Sequence, residues 1–537
     1  MIRNPILPGF NPDPSICRVG DDYYIATSTF EWYPGVQIHH SRDLVNWTMV
    51  RRPLERQSQL DMRGNPDSCG VWAPCLSYAD GLFWLVYTDV KRFDGNFKDA
   101  HNYIVTSPDI EGKWSEPVYV NSSGFDPSLF HDEDGRKWFL NMQWNHRTES
   151  FGGAPKSPAF DGILLQEWDA ATNSLKGPTK NIFAGSPLGL VEGPHLFKRN
   201  GYYYLTTAEG GTGYDHAVTM ARSRTIDGPY ELHPNRHVIT SKDHPEAILQ
   251  RAGHGQYVET PDGQVYHTHL CGRPLPPKRR CTLGRETSLQ KCVWKEDGWL
   301  YLENGTTVPD VTVPGLAGAV PVEKPMRSEY SFDGVTLPDD FQWLRTPKPE
   351  RILNLTDRAG HLRLIARESI GSWFEQSLVA RRQENHSFRA ETVVEFDPDT
   401  YQQVAGLTHY YNRHKFHAIG VTLHEKLGRC VTVFSCDGDY PNSRLSFPAG
   451  SGVAIPAEGR VQLSMEIRDN DLQFFWQTEG KGAWQPIGPV LDAGIVSDEG
   501  GRGEHGSFTG AFAGVFAFDT SGRAKTADFD WFNYEEL

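Results

Sequence analysis

The sequence predicts an all-β protein: a five-bladed β-propeller followed by a β-sandwich of the jelly-roll kind. Five stretches of the first half repeat one plan. They start at Asp13, Ala73, Asp126, Gly193 and Gly253, so successive starts lie 60, 53, 67 and 60 residues apart. Each runs from a small polar start through an apolar residue and a turn into an aromatic strand. Four strands per repeat of about 60 residues, five times over, is the arithmetic of a propeller. Composition agrees: aromatic residues make up 12%. Gly plus Pro reach about 16%, against a usual figure near 12%, as expected of many short strands joined tightly.

In chain order the repeats read DPSICRVGDDYYIATST, APCLSYADGLFWLVYTD, DPSLFHDEDGRKWFLNM, GPHLFKRNGYYYLTTAE and GHGQYVETPDGQVYHTHL. Their central pairs, Gly20-Asp21, Asp80-Gly81, Asp134-Gly135, Asn200-Gly201 and Asp262-Gly263, sit between alternating apolar and polar residues. That is the strongest short-range hairpin signal a sequence offers. Most repeats are followed by a second hairpin-like stretch, such as HHSRDLVNW or TSPDIEGKW, and no helical periodicity intervenes. The propeller spans residues 1–307. The segment 308–327, VPDVTVPGLAGAVPVEKP and its flanks, loses the alternation and reads as a linker or wrap-around segment. Residues 328–537 again alternate at period two, in RAETVVEFDP, VQLSMEIRD and LQFFWQT, without the blade plan. These form the sandwich, and DFDWFNYEEL reads as an aromatic strand closing a sandwich edge.

Acidic residues outnumber basic ones, 68 to 53, a net charge of −15 with no long Lys/Arg run. This excludes a phosphate-tracking nucleic-acid binder. No apolar run approaches the ~18 residues of a membrane span, so no membrane partner is expected. MIRNPILPGFNPDPS lacks a basic segment followed by an apolar one, so no secretory leader is expected. The eight cysteines have no CxxC pair or framework spacing and read as reduced, mostly buried thiols of a cytoplasmic protein. Asn121-Ser122-Ser123 then has no meaning as a glycosylation site.

The first strands of propeller blades converge on the axis, so polar residues at their starts share one funnel. Three blades begin with carboxylates: Asp13 before Pro14, Asp126 before Pro127, and Glu192 two residues before Pro194. Trp72 and His254 take that place in the other two. A single Asx-Pro is a common turn. Three acids around one axis disfavour each other's ionisation, a cost borne where separated pKa values are needed. Glycoside hydrolysis needs such a set, one carboxylic acid to protonate the leaving oxygen and one carboxylate to activate water or attack carbon. Phe30, Trp72, Trp144 and Tyr214, near blade tips, are candidate platforms for sugar rings, and Thr207 joins the candidate substrate-binding set.

NPDPS, TSTFEWYPGVQIHHSRDLVNW, WAPCLSY, GFDPSLFHD, EGPHL, AGHGQ and LGRET together resemble family 43 of the glycoside hydrolases, more narrowly its two-domain β-xylosidases. The likeness extends through GSFTGAFAGVFAFD to DFDWFNYEEL and covers essentially the whole chain. It implies exo-hydrolysis of β-1,4-xylooligosaccharides or aryl xylosides with inversion, a side activity on α-L-arabinofuranosides, and a homo-oligomer, dimer or tetramer. By motif, Asp13 resembles the general base, Glu192 the general acid and Asp126 the carboxylate that tunes the acid and orients substrate. Arg285 resembles an arginine on sugar hydroxyls, and His254, Phe30, Trp72 and Phe508 resemble pocket-lining residues. Cys75 in WAPCLSY departs from the Asp of many members. No cofactor is required, although some relatives carry a structural or activating calcium ion in the propeller channel, near the place of His254.

The Gly-rich SDEGGRGEHGSFTGAFAG stretch is expected to reach over the neighbouring domain, with Phe508 sealing the pocket. GRGEHG matches GxGxxG but lies in no strand–helix unit and is set aside as a dinucleotide site. His267 with His269, and His414 with His417, have spacings that could ligate a metal, but for the second pair surface or hydrogen-bonded histidines are the simpler reading. The rivals are a non-catalytic carbohydrate-binding propeller, an α-L-arabinofuranosidase, and a fructosidase-type propeller, whose RDP and EC motifs are missing.

Overall fold

The computed structural model describes residues 1–93, 97–153, 159–501 and 507–537. Among them the only helical turns are the 3-10 turns Pro349–Arg351 and Ala493–Ile495; the rest is strand and loop. Five antiparallel sheets of the first half each keep the chain order of their strands, as blades do. Blade I holds Ser15–Val19, Asp22–Thr27, Gln37–Ser41 and Thr48–Arg51. The innermost strands of blades II to V are Gly70–Ala79, Ser128–His131, Glu192–Arg199 and Gln250–Gly253.

The expected turns lie inside these hairpins. Ala79 pairs with Leu82 around Asp80-Gly81, and Arg199 with Tyr202 around Asn200-Gly201. All four turn residues have positive φ, between 48° and 76°. This is the type I′ geometry whose twist matches the strands. The ring closes through the N-terminus: Ile2–Arg3 pairs with Thr312–Val313, and Leu7 bridges Thr287. The segment read as a linker therefore contributes a short strand. Its last residue, Arg327, already pairs with Glu535.

The second half is a sandwich of two eight-stranded sheets around a core that includes Phe388, Leu407, Ile419, Val433, Leu463, Val515 and Phe529. The final strand, Thr526–Glu536, does not close an edge. It lies inside its sheet, paired to Leu362–Ile365 on one side and Phe388–Glu395 on the other. Its alternating Ala527, Phe529, Phe532 and Tyr534 are buried in the core, which only an interior strand does so fully. The other sheet borrows its edge from the propeller. Trp32–Tyr33 leaves blade I between its second and third strands and pairs with Phe341–Leu344. Trp32 stacks on Phe512 at 3.7 Å, so the irregular TSTFEWYPG stretch joins the two halves.

Candidate active site

The sheets place one left-handed residue at the mouth of each innermost strand. Asp13, Ala73, Asp126, Gly193 and His254 have φ of 55°, 32°, 54°, 56° and 44°. Four of the five precede a proline, where this conformation is disfavoured. Held non-glycine residues of this kind cost of order 1–3 kcal/mol each and gather at functional sites. Glu192 and Trp72 are not at the equivalent place but one residue earlier. The kink at Gly193 or Ala73 turns the preceding side chain into the same funnel.

The result is a pocket of about 270 Å³ lined by Asp13, Asp126, Glu192, His254, Arg285, Phe30, Trp72 and Phe508. Asp13 is held on both oxygens: Ser28 Oγ donates to Oδ2 at 2.6 Å, and Arg285 Nη1 to Oδ1 at 3.0 Å. The Ser28 oxygen also accepts from the Ala73 amide at 2.7 Å, tying blade I to blade II. Asp126 Oδ2 accepts from the Gly193 amide at 3.1 Å. His254 Nδ1 stands 3.8 Å from Asp13 and 4.0 Å from Asp126.

Burial, then the charge of Asp13, pushes the Glu192 carboxyl up to about 8, opposed by Arg285 and Lys98. Asp126 is raised well above the carboxylate range by burial and by the charges of Glu192 and Asp13. Burial lowers His254 and keeps it neutral, with Asp13 opposing. One floor thus holds a carboxyl that keeps its proton at neutral pH beside Asp13, whose two oxygens are fixed as acceptors. Acid–base chemistry on one bond needs such a separation.

The sandwich supplies the wall. Phe508 lies 5.9 Å from the Trp72 ring and 6.4 Å from Phe30, and its carbonyl accepts from Arg285 Nη2 at 2.8 Å. Its amide donates to Ser68 Oγ of the propeller at 3.1 Å, and the next amide, Thr509, to the Tyr411 hydroxyl at 3.0 Å. Tyr411 donates to Asp498, which also accepts from Arg251 Nη1 at 2.7 Å. Arg251 Nε donates to the carbonyl of Thr212, on the opposite pocket wall, at 2.8 Å. A buried strut thus spaces the two walls.

Other expected residues stand elsewhere. Trp144 is behind the lining, 5.5 Å from Phe160, with Lys98 Nζ 4.4 Å over its ring. Thr207 lies buried on the second strand of blade IV, outside the pocket lining, its Oγ1 without a partner among the described residues. Tyr214 donates to the Arg279 carbonyl outside the pocket. Cys75 is buried among Trp84, Val86 and Leu129 rather than at the site. Sequence reasoning missed Lys98, Phe125, Phe160, Gly211 and Thr212 in the lining. Phe125 was within reach as the neighbour of Asp126; Lys98 carried no signal.

His267 and His269 are buried and bonded to backbone carbonyls, and His417 to Ser435 and the Asp492 carbonyl. His414 meets Ser443. Near His254 the channel offers the imidazoles of His195 and His216, whereas calcium takes six to eight oxygens. Among the described residues no group of three or more His, Cys, Asp or Glu could hold a metal ion. GRGEHG, beyond Gly501, lies outside the described residues.

A propeller pocket floored by carboxylates and walled by aromatic rings is the arrangement that glycoside hydrolysis calls for. Residues 2–300 match the glycosyl hydrolases family 43 model, and 329–535 match the beta xylosidase C-terminal Concanavalin A-like domain. The chain belongs to glycosyl hydrolase family 43. It is similar to "Xylosidase/arabinosidase 43B" of Humicola insolens, 59% identical over 100% of this chain and 98% of the relative. It is 48% identical to "Beta-xylosidase" of Bacillus subtilis (strain 168), over 100% and 99%. The crystal structure of xylan beta-1,4-xylosidase from Bacillus halodurans C-125 superposes with a TM-score of 0.95 at 50% identity, covering both chains fully.

Proposed function

We propose that the protein is an exo-acting β-D-xylosidase that releases D-xylose from the non-reducing end of β-1,4-xylooligosaccharides with inversion. The observation that carries this is the small size of the pocket and the aromatic walls over its carboxylates. Phe508 and Trp72 wall a space of about 270 Å³ above the carboxylates, suited to one terminal sugar rather than a through-running chain. Asp13, held by Ser28 and Arg285, takes a proton from a water that attacks the anomeric carbon. Glu192 donates its proton to the glycosidic oxygen as the carbon–oxygen bond breaks, and the sugar leaves with inverted configuration. The charge of Asp13 helps to keep the acid protonated, and Asp126, itself held protonated by burial and by its acidic neighbours, orients substrate. Arg285 and the neutral His254 are placed to bind sugar hydroxyls. None of these roles needs a metal.

A side activity on α-L-arabinofuranosides is supported by the name of the Humicola insolens relative. The deciding experiment compares hydrolysis of aryl β-D-xyloside with aryl α-L-arabinofuranoside while NMR follows the first anomer released. Faster xyloside turnover giving α-xylose is expected. Faster arabinofuranoside turnover makes that the main activity, retained configuration removes the water-activating role of Asp13, and binding without turnover makes the propeller a lectin.

A cytoplasmic location is supported by all eight cysteines being free and buried. No helix of the described residues is long and apolar enough to cross a membrane. A homo-oligomer, dimer or tetramer, is supported by the exposed Tyr401, Leu445 and Phe447 around one groove of the sandwich. Light scattering at micromolar concentration should give a multiple of 60.5 kDa, and a lone monomer rejects it.

A further inference from the structure

A second cavity, of about 220 Å³, lies on the seam between blade I and the sandwich, away from the catalytic acids. Its floor holds two guanidinium groups whose acceptors, among the described residues, are all neutral. Arg382, on the sandwich strand Ser377–Arg382, is 5% exposed. Its Nε donates to the Phe10 carbonyl and its Nη1 to Gln342 Oε1, both at 2.6 Å. Its Nη2 is buried and has no partner among the described residues. Arg52, following blade I, gives Nε and Nη2 to Gln37 Oε1 at 3.0 and 2.6 Å, and Nη1 to the Phe341 carbonyl at 3.4 Å. Beside them His39, held neutral by burial, has its Nδ1 buried and without a partner among the described residues.

Two guanidinium groups in one cavity with no carboxylate hydrogen-bonded to either are costly, and an anion between them would offset the cost that the rim carboxylates Asp339 and Asp340 relieve only in part for Arg52. Burial and the charge of Arg52 push the Arg382 guanidinium well below its ordinary range, while Glu384 and Asp340 oppose this. The charged groups around the cavity divide by depth. Lys324, Asp339 and Asp340 are exposed on its rim. Asp340 accepts from Tyr330, and Glu384 pairs with Arg381 at 3.3 Å, so two of the three carboxylates are engaged outside the floor. Planar guanidinium forks match the several oxygens of a tetrahedral anion.

We propose that this seam cavity is a binding site for a phosphate-class oxyanion, held by Arg382 of the sandwich and Arg52 of the propeller. The ion would clamp the two domains together. Arg382 also holds the Phe10 carbonyl, three residues before Asp13, and the Phe10 ring lies 5.7 Å from Phe30 of the catalytic pocket. The clamp therefore acts on the rigidity of the seam and of one pocket wall, and it stands whatever sugar the pocket takes.

The test is thermal unfolding of the full chain with inorganic phosphate against sodium chloride at matched ionic strength, with calorimetric titration of phosphate. A saturable rise of about 1 °C at ten times the dissociation constant, with one ion per chain, is expected. Arg382→Met should remove it. Arg52→Gln, on the partly exposed propeller side, should do the same where the first variant folds poorly. Equal stabilisation by phosphate and chloride means that water alone fills the cavity, and overturns the proposal. A phosphate response that survives in Arg52→Gln places the ion elsewhere and also overturns it.

Discussion

Replacing Glu192 by Gln should make the protein more stable at alkaline pH while leaving it nearly inactive. In the folded chain the carboxyl is raised from 4.5 to about 8, chiefly by burial and then by Asp13. At about 1.4 kcal/mol per unit, that difference amounts to about 5 kcal/mol for full ionisation. The folded protein binds this proton more tightly than the unfolded chain does. Its stabilising effect is therefore complete below about pH 4.5 and is lost progressively as pH rises to about 8. An amide does not titrate, so the variant escapes that loss. Denaturant midpoints at pH 5 and pH 8.5 should show the gap between variant and wild type moving by about 4 kcal/mol in the variant's favour. In the same samples kcat on xylobiose should fall by about 10²–10⁴, and the alkaline limb of the wild-type pH–rate profile, near pH 8, should disappear. A stability gap that does not change with pH would show Glu192 ionised in the folded protein, and a carboxylate cannot donate the proton.

Asp13→Ala should lower kcat on every substrate. Glu192→Ala should be partly rescued by aryl xylosides with good leaving groups, and equal losses across leaving groups would remove the assignment of acid and base. Phe508→Ala should cost about 10–100-fold in kcat/KM although it removes no carboxylate, because the wall of the terminal-sugar pocket goes with it. Tyr411→Phe should give a smaller loss in the same direction, since the Thr509 amide and Asp498 lose their shared partner; kcat/KM unchanged in both variants would leave the strut without a part in the reaction.

The blades were legible because their signals are local. A turn such as Asn200-Gly201 adopts positive φ wherever it stands, and alternation on either side fixes the pairing register of the hairpin. The carboxylates that line the pocket were legible for the same reason, since each blade start repeats in the chain and the repeats converge on one axis. Phe508 was legible as the end of a Gly-rich loop. The one-residue offset of Glu192 and Trp72 was not, because it depends on the left-handed kink at Gly193 and Ala73. Thr207 shows the limit of strand reasoning: it lies on the right blade but is buried outside the pocket lining.

The amino-acid sequence by itself determined the all-β class, the two halves, the hairpin turns and the acids Asp13, Asp126 and Glu192, all of which follow from periodicity and short-range conformational preference. Tertiary structure decided what those elements meet. Trp32–Tyr33 finds its partner strand some 310 residues on, Thr526–Glu536 becomes an interior strand, and Lys98 and Thr212 enter the pocket wall. The same holds for the joining of Arg285 to Phe508 and of Arg382 to Phe10, bonds between domains with no counterpart in local sequence. Local preference is set by each residue's own backbone and its near neighbours. A contact across the domain seam is chosen by which packing of the whole chain buries the most apolar surface while leaving the fewest polar groups unpaired.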